Sequence, residues 1–206
     1  MLYFLVSLIP FIGYLILKTK KSLHMLQLNW YNLDQRYLKW IIKNPYKVFI
    51  DIDAFFFIFF CFLFTSEKMS ILLFIVFYLV VMTLFQQAEK KEQVKVPLKI
   101  TARVKRLIVT IVILYLIPIV TIACTYDPHM LAYYYVLLGL LTYLNAFIVM
   151  TSEFINKPVE KGVFNHFKHQ ATRKLKSMNQ IGVIGITGSY GKTSSKNILN
   201  DVLSVR

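Results

Sequence analysis

Five apolar stretches constrain this chain more than any other feature: Leu2–Leu17, Val48–Thr65, Met69–Phe85, Leu107–Thr125 and Met130–Met150. A bilayer has no water to satisfy backbone polar groups, so a crossing segment is a helix of about 17–25 mostly apolar residues. Each stretch falls in or near that range and none carries a charge near its centre. The shortest ones still reach roughly 25 Å at about 1.5 Å per residue, enough with snorkelling ends or local thinning. Composition agrees: 57% of residues are hydrophobic and 17% charged, against about 25% charged in soluble domains. A disordered chain is excluded, a soluble globular domain is disfavoured, and a helical membrane region over residues 1–150 is expected.

The net charge of +14 could point to nucleic acid, an acidic surface or loop bias. Its distribution decides. Residues 18–47 hold seven Lys or Arg, residues 86–106 hold seven and the tail after Met150 holds nine, so 23 of the 24 fall on one side of a five-span layout. By the positive-inside rule that side is the cytosol, with the N-terminus outside and the C-terminus inside, and no nucleic-acid partner is needed. The first stretch lacks a basic leader and a small-residue cleavage site, and Lys18, Lys20 and Lys21 follow it at once, so it reads as a retained anchor.

The polar residues of the spans, Asn145, Thr83, Thr110 and Thr142, read as interhelical hydrogen-bonding groups, and Pro118 as a local kink. Asp51 and Asp53 suit the N-terminus of the second span and make no metal site. Cys61 and Cys124 are isolated thiols without metal spacing, at a shared depth that leaves a bond between spans open. Of four histidines only His166 and His169 share a helical face, with no acidic or cysteine partner for a metal.

After Met150 the composition turns polar. Over residues 151–178 the apolar Phe164, Phe167, Ala171, Leu175 and Met178 recur at three and four, among Lys161, Lys168, Arg173, Lys174 and Lys176. That is a basic amphipathic linker helix, which either lies on an acidic leaflet or packs on a following domain. From residue 179 the pattern changes again. Ile181–Thr187 is a short apolar run typical of a strand buried in a parallel sheet, and Ile198, Leu199, Val202 and Leu203 share one side of a helix starting near Lys192. Between them stands Gly188-Ser189-Tyr190-Gly191-Lys192-Thr193.

Strand, glycine turn, Lys-Thr and helix is the order of a phosphate-binding loop. Glycines let successive N–H groups converge on phosphate oxygens at a helix N-terminus. A lysine adds charge for the β- and γ-phosphates, and a following hydroxyl binds Mg²⁺. In that reading Lys192 takes the first role and Thr193 the second, with Ser194 in reserve. The strict pattern wants glycine where this chain has Ile186.

The string GITGSYGKTSSKNIL resembles the ATP-binding loop of the Mur ligase family, which also lacks that first glycine. Within the family it is most similar to membrane-anchored forms of the ligases that add D-alanyl-D-alanine to UDP-MurNAc-tripeptide. The match covers about Asn179–Val205. The resemblance implies ATP and Mg²⁺ as cofactors, an amide ligation through an acyl-phosphate, and a nucleotide-linked cell-wall precursor with an amino acid or dipeptide as substrates. It also implies a bacterial cytoplasmic membrane location, with Thr187, Gly188, Ser189, Tyr190, Gly191, Lys192, Thr193 and Ser194 around the phosphates and Thr193 on the metal. The remaining ligase residues would follow this loop, so the expected fold is mainly α, a multi-span region ending in the first βα unit of an incomplete α/β domain. No catalytic residue falls within the chain, and no ligation is expected from these 206 residues alone. A homo-oligomer or a partner chain could complete a site. A polyglutamate-type ligase, or a membrane interaction module with a vestigial loop, are the alternatives.

Overall fold

Helices follow the apolar runs but extend well past them. The computed structural model describes residues 2–49, 53–56, 58–59, 66–91, 96–178 and 185–204. Helix α1 spans Leu2–Leu28, α2 Leu38–Lys43, α3 Pro45–Val48, α4 Glu67–Lys91, α5 Ala102–Cys124, α6 Leu131–Tyr143, α7 Asn145–Ser177 and α8 Lys192–Ser204. Three of them, α1, α4 and α5, are long and apolar enough to cross a membrane, and the pair α6 and α7 passes the same test together with a 65° bend. The protein is therefore mainly helical, with candidate membrane-spanning helices compatible with a lipid bilayer.

The chain divides into two units, Met1–Glu160 and Lys161–Arg206. In the first, α1 packs along α4, and rings fill the seam. Phe11 meets Tyr78 edge-on at 5.2 Å between centroids, and Tyr14 meets Phe85 at 5.6 Å. Tyr135 of α6 stacks on Phe74 of α4 at 3.9 Å, and all of these six residues but Phe85 are fully buried. Such pairs add about 0.5–1.5 kcal/mol each beyond the area they bury. Gly139 lets a neighbouring segment come close to α6, since a Cβ there would stand 2.5 Å from the Cβ of Phe56.

Contacts fix the helix directions. Phe4 lies 5.2 Å from Tyr126 and 6.0 Å from Tyr135, while at the other end Asn145 bonds to Thr19 and Ser22. Hence α1, α4 and α6 run one way and α5 the other. This gathers Lys18, Lys20 and Lys21 of α1 with Arg103 and Arg106 of α5 at a single end of the bundle. At the opposite end Tyr126 donates to Glu67 at 3.0 Å, and partial burial with that carboxylate pushes its hydroxyl up to about 12.

Local chemistry sets the boundaries. Thr101 caps α5 by accepting from the Val104 N–H at 3.3 Å. After α1, Trp30 and Tyr31 turn through left-handed φ values of 59° and 55°. Each costs an L-residue roughly 1–2 kcal/mol. The Tyr31 ring offsets part of this by facing the Arg103 guanidinium at 4.0 Å.

The structure refines one sequence expectation and departs from two others. Met130–Met150 is not one straight span: the helix breaks at Leu144, because Asn145 turns its amide into α1 and α5. There is no linker boundary at Met150 either. Helix α7 runs on through Glu160–Met178 as far as Ser177, and Ser152, Glu153 and Asn156 are buried in the first unit. The strand over Ile181–Thr187 is not observed at residues 185–187, and 181–184 lie outside the described residues. A strand needs a partner for its ladder, and among the described residues there is none. The expected Val48–Thr65 span lies mostly outside the described residues, as do Asp51 and Cys61, while residues 53–56 form a 3₁₀ turn.

Candidate functional site

The loop residues singled out by sequence are brought together at one helix end. Thr187, Gly188, Ser189, Tyr190 and Gly191 precede α8, and Lys192, Thr193 and Ser194 form its first turn. Gly191 has φ +75°, a conformation that L side chains rarely adopt, and a Cβ there would meet no neighbour. The glycine is thus required by the backbone and not by crowding. Its carbonyl accepts the first helical bond of α8, from the Ser195 N–H at 2.9 Å. The N–H groups of Lys192, Thr193 and Ser194 therefore precede the ladder and carry the positive end of the helix dipole. All eight residues are exposed, Tyr190 at 96%. That arrangement can offer three N–H donors, one ammonium and two hydroxyls to an anion.

The predicted apolar face of α8 is present and uncovered: Ile198, Val202 and Leu203 are each more than 60% exposed. Phe164, Phe167, Leu175 and Met178 of the basic helix are exposed as well. His166 and His169 sit on that helix. Among the described residues no group of three His, Cys, Asp or Glu side chains could hold a metal. Cys124 is a free, exposed thiol.

A second constellation lies at the basic end of the first unit. Asn145 is its centre: it donates to Tyr115 at 2.7 Å and Thr19 at 2.8 Å, and accepts from Ser22 at 2.6 Å. Lys18 pairs with Asp53, both buried. Arg103 pairs with Glu153, and Arg106 reaches Glu160 at 2.7 Å. Asn156 donates to Thr110 at 2.8 Å, and Tyr78 bonds with Thr142 at 3.2 Å. Asn145, Thr110 and Thr142 thus serve as the interhelical groups expected of them, whereas Thr83 donates within α4 to the Val80 carbonyl.

The ion pairs were not foreseen. Asp53, expected at the N-terminus of the second span, pairs with Lys18 on α1. Sequence did carry a signal for the other set: Arg103 and Arg106 lie three apart, and Glu153 and Glu160 seven apart, so each pair shares one helix face. A charged face in an otherwise apolar bundle needs a charged partner. These ion pairs tie α5 to α7. Compared with family models, with curated proteins and with solved structures, the chain matches none.

Proposed function

We propose that this chain is the membrane-anchoring and ATP-binding part of an ATP-dependent amide ligase of cell-wall precursor synthesis, whose phosphate-binding loop is Thr187–Ser194 on the cytosolic side of a bacterial cytoplasmic membrane. The observation that carries the reading is the loop itself. Gly191 turns through positive φ directly into α8, so that Lys192 and Thr193 occupy the first two helical positions with their N–H groups free of the ladder. ATP phosphates would meet those N–H groups and the Lys192 ammonium, and Thr193 would hold Mg²⁺ through its hydroxyl. Bound Mg²⁺ and lysine would offset the charge that develops on the β- and γ-phosphates as a carboxylate attacks.

Orientation is supported by the gathering of Lys18, Lys20, Lys21, Arg103 and Arg106 at one end of the bundle, where an excess of basic residues marks the cytosol. The D-alanyl-D-alanine substrate rests on the likeness of GITGSYGKTSSKNIL to Mur ligases. Binding of Mg-ATP to the protein in vesicles tests the loop. Lys192→Ala should weaken it by about 10-fold or more, the loss of one charge-assisted contact. Equal affinity in wild type and variant would remove the ATP reading. In a protein that also carries the remaining ligase residues, release of ADP that depends on UDP-MurNAc-tripeptide and D-alanyl-D-alanine, and not on glutamate, would separate this ligase from the polyglutamate type.

A further inference from the structure

The first unit contains a cavity of about 1200 Å³ between α1 and α5 that the loop chemistry does not use. Its walls are aliphatic: Ile12 and Ile16 on α1 face Ile108, Val112 and Leu116 on α5. At one end the lining changes to Lys20, Lys21 and His24, with Glu89 the single carboxylate among the lining residues. That end is built. The His24 Nε2 hydrogen-bonds the Val96 carbonyl at 2.7 Å. Gln27 accepts from the Lys99 N–H at 3.0 Å and donates to the Lys99 carbonyl at 2.9 Å. Residues 96–100 are thereby held across the mouth beside the lysines.

We infer that this groove binds one anionic glycerophospholipid, with an acyl chain between α1 and α5 and the phosphate at Lys20 and Lys21. The dimensions agree. From Ile12 to Lys20 a helix rises about 12 Å, close to the roughly 15 Å depth of one leaflet's hydrocarbon. A lipid whose headgroup stood at the lysines would bring its chain to the Ile12 level near the bilayer centre. The charge also agrees. A basic residue at the headgroup level, here the exposed Lys20, favours a phosphodiester with net negative charge over a zwitterionic headgroup. Lys20 is exposed and can reach a phosphate at the rim, while Lys21 is steadied over the Phe85 ring at 5.1 Å. The inference rests on the membrane location proposed above and is independent of the ATP loop.

Brominated lipids test it. In a background with Trp30 and Trp40 replaced by Phe, a single tryptophan is placed in the groove as Ile16→Trp, or on the opposite exposed face as Val80→Trp on α4. Each protein is reconstituted in phosphatidylcholine vesicles containing either brominated phosphatidylglycerol or brominated phosphatidylcholine. At Ile16→Trp, phosphatidylglycerol should associate about fivefold more strongly than phosphatidylcholine, the effect expected of one basic residue near the headgroup. At Val80→Trp the two should quench alike. Adding Lys20→Gln should bring the groove to the Val80→Trp ratio, and Lys20→Arg should leave it selective. Equal quenching by both headgroups at Ile16→Trp overturns the site while the quenching at Val80→Trp upholds the membrane location. Absence of quenching at both positions overturns the membrane location and the site together.

Discussion

The two units of this chain treat the same kinds of residue in opposite ways. In Met1–Glu160 the aromatic residues Phe4, Phe11, Phe74, Tyr78 and Tyr135 are buried against one another, and the charged Lys18, Asp53 and Glu153 are buried in pairs. Among the described residues of Lys161–Arg206 no apolar side chain is buried, and Phe164, Phe167, Ile198 and Val202 stand more than 60% exposed. The difference is one of available partners. Four apolar helices lie side by side in the first unit, so an inward residue faces another helix, whereas α8 and the end of α7 offer single stripes that no described residue of their own unit closes. A bundle of apolar helices carries its own core. An amphipathic helix or a phosphate loop supplies only half of a contact, and the other half must come from a membrane, a ligand or more protein.

This contrast is open to attack by mutation, beginning where burial is deepest. Replacing Asp53 by Ala leaves the Lys18 ammonium buried without its carboxylate, and should cost about 3–5 kcal/mol. Denaturant unfolding followed by circular dichroism measures it. The pair Lys18→Met with Asp53→Leu should cost less than Asp53→Ala alone, because no charge is stranded. An unfolding midpoint for Asp53→Ala equal to wild type would show that the first unit does not depend on this pair.

Gly139→Ala should be next, at about 1–3 kcal/mol, since its Cβ would overlap the Phe56 Cβ and force the two segments apart. The same substitution at Gly162 of the second unit, where a Cβ meets nothing, should change stability little and serves as the matched control. Asn145→Ala removes hydrogen bonds to Thr19, Ser22 and Tyr115. Interhelical bonds of this kind average about 0.6 kcal/mol and reach about 1.7, so a loss of roughly 1–3 kcal/mol in unfolding free energy is expected. A cycle with Tyr115→Phe would isolate the single bond between them.

The smallest effects belong to the exposed helix. Phe164→Ala and Phe167→Ala should alter unfolding of the protein by less than about 0.5 kcal/mol. They should nevertheless weaken protection of residues 161–178 by anionic vesicles in hydrogen exchange, if that stripe lies on a leaflet. Protection unchanged by either substitution would favour packing on protein instead.

Several features were legible in the residues themselves. The apolar run Met69–Phe85 falls inside α4, and Leu107–Thr125 follows α5 to its C-cap Thr125, because length and hydropathy alone demand a helix once no water is available to the backbone. The start of α8 at Lys192 follows from Gly191, the last residue able to take positive φ before a helical pattern. Asn145 could be recognised as a polar group requiring a partner, though not which partner. The bend at Leu144 was hidden, since one polar residue such as Asn145 inside an apolar run does not by itself show that the helix breaks beside it. The continuity of α7 through Pro158 was hidden too, because its reason is the burial of Ser152, Glu153 and Asn156 against other helices.

Sequence by itself therefore determined which segments are helical and apolar, which end of each is basic, and that a glycine turn leads Lys192 and Thr193 into a helix. These follow from local rules: hydropathy, backbone freedom and the order of residues along one chain. Only the tertiary structure decided that Lys18 meets Asp53, that Arg103 and Arg106 meet Glu153 and Glu160, and that α1 and α5 leave a lysine-rimmed groove between them. Each of those joins residues tens of positions apart. Their pairing depends on how helices lie against one another, and periodicity within a segment carries no information about the neighbour it will face.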